Sequence, residues 1–94
     1  MRVLVVDDYR DSADMLAAVL MIRDAHLCVD AAYDGSSGLA QALTGKFEVI
    51  ILDLMLPGLS GAEVAQAIRV RLASNAPVLI ALSGSLAEVA LHKG

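Results

Sequence analysis

At 94 residues the chain has room for a single domain, 1–94, and a chain of that size buries only about two-thirds of its unfolded surface. It is 57% hydrophobic with a mean hydropathy of +0.67, which excludes intrinsic disorder, and with only Tyr9, Tyr33 and Phe47 as aromatics it does not read as an aromatic-rich β-sandwich. A net charge of −4 has the wrong sign for a phosphate-backbone ligand, so no direct nucleic-acid binding is expected.

The chain opens on a short apolar run, VLVV (3–6), which reads as a strand closed by Asp7 and Asp8 and is too short for a secretion signal. Met15, Leu16, Val19 and Leu20 then draw one apolar stripe on a helix, with Asp11 or Ser12 as its cap. Cys28 to Tyr33 alternates and suits an edge strand, Cys28 itself reading as a small buried hydrophobe that has no second cysteine to pair with. Leu39, Ala40 and Leu43 give a short second helix.

VIIL (49–52) is a second continuous strand, ending in Asp53. Ser60-Gly61-Ala62-Glu63 spells a capping box at the head of a third helix, whose apolar stripe is Val64, Ala65, Ile68 and Leu72. VLIAL (78–82), ending in Ser83, is a third buried strand. The Ser85 to Glu88 stretch repeats the capping spelling and predicts a closing helix over 86–92, with Leu86, Val89 and Ala90 inward and Gly94 as its C-terminal cap. The longest uncharged stretch, 72–87, contains Ser74, Asn75, Pro77, Ser83, Gly84 and Ser85. It falls short of the about 20 apolar residues of a membrane span, and a cytoplasmic chain is expected.

Strands alternating with helices predict an α/β fold with a parallel sheet, in which ligands bind at the carboxyl ends of the strands. Asp7, Asp8, Asp53 and Ser83 stand at those ends. If the strands of Asp7 and Asp53 are neighbours, three carboxylates meet, and they must hold either a proton or a cation. Hard oxygen donors in small number suit Mg²⁺. A single aspartate after a strand is more often a helix cap; three at one end of one sheet favour a site.

The stretch Asp53-Leu54-Met55-Leu56-Pro57-Gly58-Leu59-Ser60-Gly61, the earlier Asp7-Asp8 pair and Ser83-Gly84 after VLIAL together resemble the receiver domain of two-component response regulators, over essentially the whole chain. The resemblance implies a flavodoxin-like doubly wound sheet, here with four strands in the order 2-1-3-4, the family's fifth strand and fifth helix lacking. It implies a phosphorelay domain, not an enzyme beyond self-catalysed phosphotransfer and autodephosphorylation, in which Asp53 takes a phosphoryl group from a sensor histidine kinase or phosphotransfer protein. Asp7, Asp8, Asp53 and the backbone carbonyl of Met55 would hold Mg²⁺. The Ser83 hydroxyl would hydrogen-bond the phosphoryl group, with Gly84 leaving room for it.

The family continues to a strand bearing a lysine for the phosphoryl oxygens, whereas Gly94 falls about where that strand should begin. Lys46 lies at the wrong end of its strand, roughly 20 Å from Asp53 at about 3.3 Å per residue. Lys93 does not fit either, and Arg10 is the only nearby cation. Two expectations follow: a shorter-lived phosphoryl group, and an open edge at 78–82 that pairs with another copy to make a homo-oligomer, there or on the exposed face beside it. The alternative reading is a degenerate receiver that serves as a phosphorylation-independent interaction or dimerisation module. A flavodoxin would need a neutral phosphate loop after the first strand, a haloacid-dehalogenase-type phosphatase an aspartate at the place of Met55, and a nicotinamide enzyme a GxGxxG stretch; none is present.

Overall fold

The computed structural model describes residues 1–54, 56, 59–82 and, for the backbone alone, 89–92. In chain order the elements are β1 (Arg2–Val6), α1 (Arg10–Arg23), β2 (Cys28–Ala32), α2 (Gly35–Ala42), β3 (Val49–Asp53), α3 (Gly61–Leu72), a short 3₁₀ turn (Ala73–Asn75), β4 (Val78–Leu82) and β5 (Val89–His92). The four expected strands are parallel and stand in the expected order β2-β1-β3-β4.

Alternation along each strand sorts the core into two layers. Leu4, Val6, Ile50, Leu52 and Leu79 point to the side covered by α2 and α3, where Val64, Ala65 and Ile68 of α3 meet them. Val3, Val5 and Ile51 point to the side of α1. Leu4, Ile50 and Ile68 are wholly buried, each contributing about 1.5–3 kcal/mol of transfer free energy. Gly38 lets α2 lie directly on β1, since a Cβ there would stand 2.6 Å from Cγ1 of Val6.

The start of α3 is as expected: the Ser60 hydroxyl accepts from the Glu63 N–H at 3.2 Å, and the Glu63 carboxylate accepts from the Ser60 N–H at 3.4 Å. Its end is abrupt. Ala73 takes φ 48° and ψ −117°, a conformation that suits glycine.

The face of α1 differs from expectation. Met15 is 67% and Val19 44% exposed, and the inward stripe is Ala13, Leu16, Ala17 and Leu20. The helix lies close against β1 and β2, and at that approach alanines fit where longer side chains would hold it off. Tyr9, not Asp11 or Ser12, is the N-cap residue, without a side-chain cap. Cys28 is exposed at the start of the edge strand, not buried.

The largest departure lies after β4. Residues 89–92 form a strand, β5, antiparallel to β4 in the register Leu79↔His92 to Leu82↔Val89, and not the closing helix expected over 86–92. Ser83 to Glu88 and Lys93 to Gly94 lie outside the described residues, and with them the second capping box and the Gly94 cap. The physical reason for the strand is the open side of β4, whose row of backbone donors and acceptors is satisfied by an extended neighbour. A helix over 86–92 has only seven residues, and so short a segment recovers too few helical hydrogen bonds to compete. The 78–82 edge is thus paired within the chain, which removes the basis for expecting oligomers through it.

Candidate functional site

Asp7 leaves the end of β1. Its N–H donates to the carbonyl oxygen of Ala32 at 3.0 Å, extending the β1–β2 ladder, and its Oδ1 accepts from the Tyr9 N–H at 2.9 Å. Asp8 follows, exposed, and Asp53 is the last residue of β3. The β1–β3 register ends at Val6↔Leu52, so the next residues on the two strands, Asp7 and Asp53, come out side by side. Asp7, Asp8 and Asp53 each offer a carboxylate oxygen, and these oxygens lie within 4.8 Å of one another.

Electrostatics of the cluster show in Asp7. Its carboxyl is pushed above the usual carboxylate range first by burial, then by the charge of Asp53 and a hydrogen bond with its carboxyl, and to a smaller degree by Asp8. The Tyr9 N–H works against this by stabilising the charged form. Three hard oxygen donors gathered within 4.8 Å make a donor set suited to a small divalent cation.

Of the residues expected at the site, Asp7, Asp8 and Asp53 are brought together, whereas Met55 and Ser83 lie outside the described residues. Lys46 precedes β3 and so belongs to the opposite end of the sheet. Arg10 is engaged elsewhere: its guanidinium stacks 3.9 Å from the centre of the Tyr33 ring, and the Tyr33 hydroxyl donates to Asp14 Oδ1 at 2.6 Å. That cluster was not foreseen. Arg10 and Asp14 are one helical turn apart on α1, and only the packing of α1 on β2 brings Tyr33 between them.

The family model for the response regulator receiver domain matches residues 3–93. The chain belongs to that family. Among curated relatives, this receiver domain is 42% identical over 69 residues to the transcriptional regulatory protein DltR of Streptococcus agalactiae, covering 73% of this chain and 30% of that one. It is 35% identical over 89 residues to the response regulator ArlR of Staphylococcus aureus, covering 95% of this chain and 40% of that one. The chain thus spans well under half the length of these relatives.

Solved structures agree on the fold. The chemotaxis protein CheY4 of Vibrio cholerae superposes with a TM-score of 0.77 at 32% identity, over 92% of this chain and 70% of that one. The response regulator TrrA of Thermotoga maritima, solved in complex with Mg²⁺-BeF, gives 0.78 at 32% identity, over 90% of this chain and 70% of that one. Among the described residues, no helix is long and apolar enough to cross a membrane.

Proposed function

We propose that Asp53 is the phosphoacceptor of a cytoplasmic two-component phosphorelay and receives its phosphoryl group from a phosphohistidine of a sensor kinase or phosphotransfer protein. A carboxylate oxygen of Asp53 forms the new O–P bond, the P–N bond to the donor imidazole breaks, and its electron pair stays on the imidazole nitrogen. Asp7, Asp8 and Asp53 are the residues to hold Mg²⁺. When bound, the ion would offset carboxylate charge and orient the incoming phosphoryl oxygens. Asp7 accepts the Tyr9 N–H, which fixes its carboxylate in the cluster. By family resemblance, the Met55 carbonyl completes the metal ligands and the Ser83 hydroxyl hydrogen-bonds the phosphoryl group.

The observation that carries this reading is the meeting of three carboxylates within 4.8 Å at the carboxyl ends of adjacent parallel strands. An interaction module with no phosphoryl chemistry has no use for such repulsion, which speaks against the degenerate-receiver alternative. The test is titration with Mg²⁺ and then with beryllofluoride, a phosphoryl mimic, followed by NMR. Saturable Mg²⁺ binding, beryllofluoride uptake only with Mg²⁺ present, and loss of that uptake in Asp53→Asn are expected. Failure of the parent protein to bind either ligand would overturn the proposal.

A further inference from the structure

Gly61 stands directly behind the proposed phosphoacceptor. A Cβ at this position would lie 2.3 Å from the carbonyl oxygen of Asp53, 2.8 Å from Cα of Leu54 and 3.0 Å from the carbonyl carbon of Asp53. All three are backbone atoms, so no rotamer change relieves the overlap. Either the head of α3 or the end of β3 has to move.

Both sides are held. The first turn of α3 is fixed by the Ser60–Glu63 capping box, and the helix is anchored by Val64, Ala65 and Ile68, all buried. Gly35 closes the approach from another side, since a Cβ there would stand 2.5 Å from the Leu59 carbonyl oxygen. The Asp53–Leu54 peptide in turn follows the last residue pair of the β3–β4 ladder, Asp53↔Leu82, and the Leu54 N–H donates to the Leu82 carbonyl oxygen at 3.0 Å. Whatever part of the overlap the end of β3 takes up moves Asp53 with it.

We infer that Gly61 is a positioning residue: the missing side chain sets how close the Asp53 carboxylate comes to Asp7 and Asp8, and therefore how well the three hold a divalent cation. The inference rests on the reading of these acids as the metal and phosphoryl site. Mg²⁺ demands near-ideal geometry at about 2.0–2.1 Å, so a displacement on the order of 1 Å at one ligand is costly while leaving the fold intact.

The test compares the full chain with Gly61→Ala and with Ile68→Val, a buried substitution about two turns further along the same helix. For each, the Mg²⁺ dissociation constant and beryllofluoride uptake are read by NMR, and the urea midpoint by circular dichroism. Gly61→Ala should raise the Mg²⁺ dissociation constant by about 10-fold or more, the usual scale for disturbing the support of a metal ligand. Ile68→Val should lower the urea midpoint and leave Mg²⁺ affinity unchanged. If Gly61→Ala does not fold unaided, the titrations are made for all three proteins in trimethylamine N-oxide, which favours the compact state. Parent-like Mg²⁺ affinity in folded Gly61→Ala, or an equal loss in Ile68→Val, overturns this inference alone. Absence of Mg²⁺ binding by the parent overturns the site reading and this inference with it.

Discussion

Replacing Asp7 by Asn should stabilise the metal-free protein while weakening its response to Mg²⁺. Asn keeps the oxygen that accepts the Tyr9 N–H at 2.9 Å and removes one negative charge from a cluster whose oxygens lie within 4.8 Å. At that separation a pair of unit charges repels by ~0.9 kcal/mol at a dielectric constant of ~80 and ~3.5 kcal/mol at ~20. Asp8 is exposed and Asp7 is only half-buried, so solvent screening puts the repulsion near the lower figure. With two neighbours relieved, the gain expected at neutral pH and low salt is about 1–2 kcal/mol. A change of about 1 kcal/mol moves the melting temperature of a domain this size by roughly 4–8 °C.

The pH dependence carries a definite sign. The Asp7 carboxyl titrates above 3.8 in the folded chain, so between 3.8 and its raised value the folded state binds more protons than the unfolded one. Parent stability therefore falls as pH rises through that window, and the advantage of Asp7→Asn is complete at neutral pH and fades on acidification. Saturating Mg²⁺ should reverse the ranking, because a ligand at 100 times its dissociation constant stabilises by about 2.7 kcal/mol and the variant has lost one ligand charge. Urea unfolding at neutral and acidic pH, with and without Mg²⁺ and at low and high salt, measures all of this. A variant less stable than the parent at neutral pH without Mg²⁺, or a gain that survives acidification unchanged, would refute the electrostatic reasoning.

Ser60→Ala removes the acceptor for the Glu63 N–H and should cost about 1 kcal/mol in urea unfolding. Ala73→Gly relieves a residue at φ 48° and should raise stability by about 1 kcal/mol, seen as a higher melting temperature. Ile50→Ala empties a wholly buried site between two neighbouring strands and should cost about 2–5 kcal/mol. Asp14→Asn weakens the main cause that holds the Tyr33 phenol above its usual 10.0, so the tyrosinate absorbance of Tyr33 should appear at lower pH than in the parent.

The parallel strands were legible because VLVV, VIIL and VLIAL read as unbroken apolar runs, although only VLVV is buried along its whole length and Val78, at the head of VLIAL, is 45% exposed. The head of α3 was legible because a capping box is a local device that needs no tertiary partner. The phase of α1 was not. Met15 and Val19 outweigh Ala13 and Ala17 in any hydrophobic pattern, yet close approach to β1 and β2 selects the small residues. Residues 89–92 were misread because VALH is too short to carry a period, and the vacant side of β4 decided its state. The acids announced themselves by following strands. Gly61 showed only as a member of the capping spelling and of the stretch that resembles the family, since its contact with Asp53 is made across space.

That the acids meet at all depends on strand register, which the apolar faces alone do not fix. A slip of β1 against β3 by two residues would keep Leu4 and Val6 on the side of α2 and α3, and the burial pattern would hardly change. It would also carry Asp7 and Asp53 apart by roughly 6.6 Å, at about 3.3 Å per residue. The opposite end of the sheet supplies what the core lacks. The Arg2 N–H donates to the Glu48 carboxylate at 3.2 Å, the Glu48 N–H returns a bond to the Arg2 carbonyl at 2.9 Å, and the Arg2 guanidinium reaches across to Asp30 at 2.8 Å. β2, β1 and the lead-in to β3 are thereby tied at one level. The Arg2–Asp30 pair is partly solvated, its side chains 42% and 46% exposed, and such pairs add at most about 1 kcal/mol to stability. The consequence for the site is registry: a slip of β1 against β3 would forfeit the Arg2–Glu48 bonds, and a slip of β1 against β2 the Arg2–Asp30 pair, while the core is kept, so these small differences help select the alignment in which the carboxylates converge.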